Sequence, residues 1–227
     1  MAEKFDQAAR DPFTPEARRI VVVSGGLSES ASSAKLAKSL ADATADGLAN
    51  VGYVSEVEVV ELRPLATAIT EATLTMNRTP ELDKAIKAVE QADGVIAVSP
   101  TFQASYSGLF KSFWDLFEDP LRSKPIMLGA TGGSARHSLM IDFAMRPLFS
   151  YLRMDIMPFA VFAASDDFGD VVGKEEGTRT APLQDRIERA GHSFAKVLLA
   201  RPAIERADSE DGVLEVTPFE KMLNAWG

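Results

Sequence analysis

The chain has 227 residues, 46 % of them apolar and 25 % charged, with 33 acidic against 24 basic side chains and a formal charge of −9. That length buries a full core in one domain without a disulfide or metal staple, and that charge repels nucleic-acid phosphates and anionic membranes. The lack of cysteine removes thiol nucleophiles, thiolate zinc sites and iron–sulfur clusters, and two histidines, His137 and His192, are too few for a His-rich metal site.

Residues 1–17 hold Pro12 and Pro15 and few apolar side chains. They read as an N-terminal extension without the apolar stretch of a signal peptide. Arg19–Ser24 is a β-branched run ending at Gly25-Gly26, the pattern of a buried strand. From Ser32 to Leu48 the pattern turns helical, with Leu36, Leu40, Ala43 and Gly47 at three- and four-residue steps. Tyr53–Leu62 alternates and is rich in valine, so it is a second strand. Pro80–Ala92 places Leu82, Ile86 and Val89 on one helical face. Asp93–Ser99 is a third strand, apolar along its length as a strand covered on both faces must be.

Ser105–Phe117 has helical spacing, and Pro120 closes it. Pro125–Ala130 is a fourth strand, followed by Thr131-Gly132-Gly133-Ser134. A long helix from about Arg136 to Leu152 is expected to kink at Pro147. Met157–Ala163 is a fifth strand and Arg179–Leu199 the last helix. The acidic stretch 164–178 is read as a loop at a strand's carboxyl end, and 201–227 as a C-terminal tail, leaving 18–200 as the domain. No apolar run approaches the ~18 residues of a membrane span, and a cytoplasmic protein is expected. Strands alternating with helices five times predict an α/β three-layer sandwich with a five-stranded parallel sheet and right-handed crossovers.

In an open parallel sheet, ligands bind at the carboxyl ends of the strands. Three loops there are unusual. Ser24–Ser33 carries five serines and two glycines and opens directly into a helix. Amides at a helix N-terminus, helped by the helix dipole, form an anion site, and serine hydroxyls add donors. A plain N-cap and turn accounts for the same residues. The loop is neither Gly-x-Gly-x-x-Gly nor the Walker pattern. The second loop, Ser99–Gly108, has a stiff bend at Pro100, then backbone amides, Gln103, Phe102 and Tyr106. Those suit the edge and face of a flat heteroaromatic ligand, or a lid on the core. In the third, Gly132 and Gly133 let backbone approach a ligand, or simply make a turn. Together the three suit flavin mononucleotide (FMN) in a flavodoxin-like sheet of order 2-1-3-4-5.

The stretch Ser99-Pro-Thr-Phe-Gln-Ala-Ser-Tyr-Ser-Gly-Leu-Phe-Lys-Ser-Phe-Trp-Asp115 resembles the Pro-x-Tyr/Phe…Tyr-Ser-Gly…Lys…Asp motif of NAD(P)H-dependent FMN reductases. Ala130–Pro147 resembles their Thr-Gly-Gly…His…Asp…Pro stretch, and Ser28, Ser30, Ser32 and Ser33 are similar to their flavin-phosphate loop. The tail Val216–Leu223 looks like the branch that partners luciferase-like monooxygenases. The resemblance implies that Ser28, Ser30, Ser32 and Ser33 hold the phosphate. It further implies that Pro100, Thr101, Phe102 and Gln103 line the isoalloxazine and ribityl edge, and that Thr131, Gly132 and Gly133 meet the pyrimidine side.

Arg136 and His137 would approach the nicotinamide substrate, although a surface position is the more common case for a histidine such as His137, and Arg136 serves equally as a solvated charge. Many relatives have arginine in the phosphate loop where this chain has Leu27. Neutral donors hold a dianion less tightly than a guanidinium does, which fits release of reduced flavin. His192 reads as structural, and Leu139, Met140, Phe143, Leu148, Phe149 and Leu152 as core or the interface of a homodimer or homotetramer. The implied reaction is hydride transfer from NAD(P)H to FMN, with the cofactor carrying the chemistry, no catalytic side chain and no metal. Reduced flavin would pass to a partner monooxygenase. The rival readings are an FMN-retaining quinone or azo reductase and a non-enzymatic flavodoxin-like electron carrier.

Overall fold

In the computed structural model, residues 17–28, 30–168 and 182–204 are described. The expected N-terminal extension therefore lies outside the described residues up to residue 16. So do Glu29, most of the acidic 164–178 loop and the tail from residue 205. Ala17 already belongs to the first strand, β1 (Ala17–Ser24). Ile20 to Val23 are fully buried there, as expected for β-branched residues covered on both faces.

Helix α1 (Ser32–Ala49) buries Leu36, Leu40, Ala43 and Leu48, and strand β2 (Val54–Glu61) follows. Between them and the next expected helix lies α2 (Ala66–Thr75), which the sequence pattern does not announce. Ile69 and Ala72 are its buried residues, and Thr70, Thr73 and Thr75 turn their hydroxyls back to carbonyls four residues earlier. So weak a stripe and so many β-branched residues hide a helix that packing sustains. Helix α3 (Pro80–Gln91) starts on Thr79, whose side chain accepts the Leu82 amide, with Pro80 in the first turn.

Strand β3 (Gly94–Phe102) does not bend at Pro100 but runs on to Phe102. The Val98 carbonyl accepts the Gly25 amide at 2.8 Å. By strand alternation Pro100 faces that same side two residues on, past the last β1 partner, Ser24. A missing N–H costs no ladder bond there. The expected helix from Ser105 begins instead as strand β4 (Ser105–Tyr106), antiparallel to β3, before α4 (Gly108–Trp114).

Strand β5 (Pro125–Gly132) leads to the segment expected as one long helix. It is a 3₁₀ turn (Ala135–His137), a π-helical turn (Ile141–Met145) and α5 (Arg146–Tyr151). Pro147 has no N–H for the carbonyl four residues back, so the ladder changes type just ahead of it rather than kinking. The fifth expected strand is two pieces, β6 (Asp155–Ile156) and β7 (Val161–Ala164), both parallel to β5. Pro158 lies in the gap, and Arg146 takes the carbonyls of Met157 (3.2 Å) and Pro158 (3.1 Å) that leave the ladder. Helix α6 (Leu183–Leu199) completes the fold.

The sheet order is β2-β1-β3-β5, with β6 and β7 sharing the far side of β5. Setting aside the hairpin strand β4 and counting β6 and β7 as halves of one strand, this is the expected 2-1-3-4-5 order. Alternation along each strand divides the core. Ile20, Val22, Ile96 and Val98 pack with α1 and α6, while Val21, Val23, Val95 and Ala97 pack with α2 to α5. The result is the three-layer sandwich expected. At the amino-terminal end of the sheet, Arg201 pairs with Asp155 at 2.6 Å and the Ile204 amide donates to Asp93 at 2.7 Å. The first residues beyond the expected domain limit are thus fastened to it.

Candidate active site

Parallel pairing puts the carboxyl ends of β1, β3, β5 and β7 along one edge. Ser24 aligns with Val98, Ser99 and Pro100 with Ala130 and Thr131, and Thr131 and Gly132 with Ala163 and Ala164. The three loops singled out in the sequence therefore stand side by side.

In the first loop, Ser24 and Ser33 are buried, while Ser28, Ser30 and Ser32 are exposed. The N-cap position of α1 falls to Ala31, and no side chain caps the helix. That speaks against the plain serine-cap reading: the Ala34 amide turns to the Ala31 carbonyl at 3.0 Å, while the Ser32 and Ser33 amides stay open. Ser33 is only 1 % exposed, yet its Oγ has no hydrogen-bond partner among the described residues. Beside it, a Cβ on Gly26 would come within 2.8 Å of both Ser33 Oγ and Ala31 Cβ. Only glycine keeps this hollow open. A buried hydroxyl without a partner costs free energy, so the chemistry of the hollow favours a ligand oxygen.

The second loop is a hairpin. Thr101 pairs with Tyr106 and Phe102 with Ser105, leaving Gln103 and Ala104 as the turn, with φ of +47° and +64°. Positive φ at both central residues is the type I′ pattern, which usually takes Asn-Gly. Holding two side chains there is strained backbone. Phe102 is exposed; Tyr106 is half-buried, its ring 5.8 Å from that of Phe110. The lid reading thus holds for Tyr106 and fails for Phe102.

In the third loop Thr131 is buried within the sheet, Gly132 half-buried and Gly133 exposed. A Cβ on Gly132 would stand 3.0 Å from Phe162 Cζ, 3.3 Å from Thr101 Oγ1 and 3.4 Å from His137 Cβ. Four segments thus meet at Gly132, and Thr101 Oγ1 is a second buried hydroxyl without a partner among the described residues. Arg136 and His137 are exposed on the 3₁₀ turn that follows. His192 lies apart, exposed on α6, with Cδ2 3.1 Å from where a Gly47 Cβ would be.

Beyond β7, Asp167 accepts the Ala164 amide at 2.9 Å and pairs with Arg186 at 2.8 Å, so α6 braces the fourth loop at its root. No basic residue lies between Ser24 and Ala34. Lys124, whose burial pushes its pKa down to about 8, lies at the opposite end of the sheet. Among the described residues no cluster of three His, Asp or Glu could hold a metal, and no helix is long and apolar enough to cross a membrane.

Residues 18–169 match the family model of NADPH-dependent FMN reductases. The chain belongs to that family. It is 36 % identical over 173 residues to the NADH-dependent FMN reductase SfnF of Pseudomonas putida, covering 75 % of this chain and 88 % of that one. It is 33 % identical over 187 residues to the FMN reductase (NADPH) of Pseudomonas aeruginosa, covering 81 % and 94 %. Among solved structures, an oxidoreductase from Corynebacterium diphtheriae superimposes with a TM-score of 0.75 at 35 % identity, covering 82 % of this chain and all of that one. An NADH:FMN oxidoreductase shares the fold, with a TM-score of 0.67 at 23 % identity, covering 87 % and 99 %.

The protein is therefore an NAD(P)H:FMN oxidoreductase that uses FMN and NAD(P)H. The residues present fit the phosphate end of FMN. The uncapped start of α1, the orphaned Ser33 hydroxyl and the space kept by Gly26 are the donors and the room that such an ester requires. Sequence reasoning passed over Ser99 and Ser107, buried behind the loops. The Tyr-Ser-Gly match contained Ser107, but nothing in spacing distinguishes a buried serine from a solvated one.

Proposed function

We propose that the reductase seats the FMN phosphate against Ser28, Ser30, Ser32 and Ser33, with the isoalloxazine between the hairpin and the Gly132-Gly133 loop. The observation that carries this is the buried, unpartnered Ser33 hydroxyl beside the open N-terminus of α1. When bound, the flavin supplies the hydride acceptor for the reduced nicotinamide. The chain binds and orients. Pro100, Thr101, Phe102 and Gln103 line one edge, with Phe102 exposed to offer its ring. Gly132 and Gly133 let backbone approach the other edge, alongside the end of the buried Thr131. Arg136 and His137, exposed beyond this loop, stand where the nicotinamide nucleotide would enter. No side chain has to move a proton.

With Leu27 half exposed and no Lys or Arg between Ser24 and Ala34, this loop offers a phosphate only neutral donors. Weaker retention supports flavin exchange, and we assign delivery of reduced flavin to a partner monooxygenase. Phe143 and Tyr151, 77 % and 84 % exposed, support pairing of subunits through the π-helical turn and α5. A homodimer or homotetramer follows, checked by light scattering. A cytoplasmic location fits the supply of reduced pyridine nucleotide.

The test is titration of FMN and riboflavin, which lacks the phosphate, into the native protein and the Ser32→Ala/Ser33→Ala double variant. FMN binding should weaken by about 1–3 kcal/mol while riboflavin binding stays unchanged. Equal effects on both flavins would move the phosphate elsewhere.

A further inference from the structure

Ser107 joins two loops that are far apart in sequence. It is 1 % exposed. Its Oγ accepts the Phe110 amide at 3.2 Å, capping α4, and donates to the Gly25 carbonyl at 3.2 Å. Its own amide donates to Ser99 Oγ at 3.0 Å, and that hydroxyl turns to the Pro100 carbonyl at 2.9 Å. Gly25 in turn gives its amide to Val98 at 2.8 Å. Both backbone polar groups of Gly25 are thus held, one by β3 and the other by the exit of the hairpin. A Cβ on Gly25 would stand 3.0 Å from Phe110 Cδ2 and 3.3 Å from Ser107 Oγ, so this contact has no slack.

Capping α4 does not by itself require a donor. Aspartate caps a helix as well as serine does, but a carboxylate cannot donate to the Gly25 carbonyl. The hydroxyl serves both partners. We infer that Ser107 is a positioning residue that fixes the Gly25-Gly26 backbone, and through it the hollow beside Ser33, in register with the hairpin. Phosphate loop and hairpin then form one rigid seat rather than two independent loops. The inference rests on the phosphate lying in the Ser28–Ser33 loop.

Fluorescence titration of FMN and riboflavin into the native protein, Ser107→Ala, Ser107→Thr and Ser99→Ala tests it. In Ser107→Ala the FMN dissociation constant should rise about 10-fold, with riboflavin binding unchanged. Ser107→Thr, which keeps the hydroxyl, should restore FMN binding. Ser99→Ala, which leaves both Ser107 Oγ bonds but frees the Ser107 amide, should show a smaller loss confined to FMN. It carries the test if Ser107→Ala does not fold. Equal weakening of both flavins, or none, reduces Ser107 to a helix cap and overturns the inference. Failure of the underlying site shows separately, as a native protein that binds FMN no better than riboflavin.

Discussion

A Cβ added to Gly26 would lie 2.8 Å from Ser33 Oγ, so the smallest residue and a buried hydroxyl share one hollow at the start of α1. The hydroxyl has no hydrogen-bond partner among the described residues. Replacing it removes an unsatisfied donor without breaking any internal bond. Ser33→Ala should therefore melt at the same temperature as the native protein or slightly higher, while its FMN dissociation constant rises about 5-fold. Calorimetry and flavin titration on one preparation check both. A marked loss of thermal stability would mean that Ser33 supports the fold rather than the ligand.

The two glycines of the third loop should separate fold from binding. Gly132→Ala meets Phe162, Thr101 and His137 and should cost about 1 kcal/mol or more of stability. A Cβ on Gly133 has nothing within 4 Å, so Gly133→Ala should unfold at the same urea concentration as the native protein. A ligand passing close to this backbone would still meet the new methyl, and FMN affinity should fall. Unchanged affinity in Gly133→Ala would place the flavin elsewhere.

The hairpin turn holds Gln103 and Ala104 at positive φ. Ala104→Gly relieves ~1–2 kcal/mol of backbone strain, partly offset by the greater freedom of glycine in the unfolded chain. Urea denaturation should show a net gain of about 0.5–1 kcal/mol. Destabilisation would indicate that the turn is not strained.

Lys124 is buried ahead of β5, its ammonium donating to the Ala92 carbonyl, and burial lowers its pKa from 10.5 to about 8 despite the opposing pull of Asp93 and Glu90. Between those two values the unfolded chain holds a proton that the folded chain has released. Stability should accordingly rise with pH from about 8 to 10.5, and fall to a plateau below 8. Lys124→Met should remove this rise and gain on the order of 1–2 kcal/mol at pH 7. Urea midpoints of both proteins across this range decide it. Parallel profiles would show that another group titrates.

Composition and periodicity sufficed for the layers. Val21 and Val23 alternate with Ile20 and Val22, and a strand buried on both faces must carry apolar side chains at every position. The loops Ser24–Ser33, Ser99–Gly108 and Thr131–Ser134 were legible because glycine, proline and serine have strong local preferences. Preferences of that kind act over a few residues. What they could not supply is any fact that depends on a distant partner. The α2 helix rests on packing rather than on its own threonines. The fifth strand divides at Pro158, where Arg146 collects the freed carbonyls. Pro100 stays in β3 because β1 has already ended beside it. Ser33 and Ser32 are neighbours of one residue type, yet one is a buried hydroxyl without a partner among the described residues and the other faces solvent. Chain order is local and burial is not, so the kind of site could be read along the chain, while which of its hydroxyls is buried was decided by the fold.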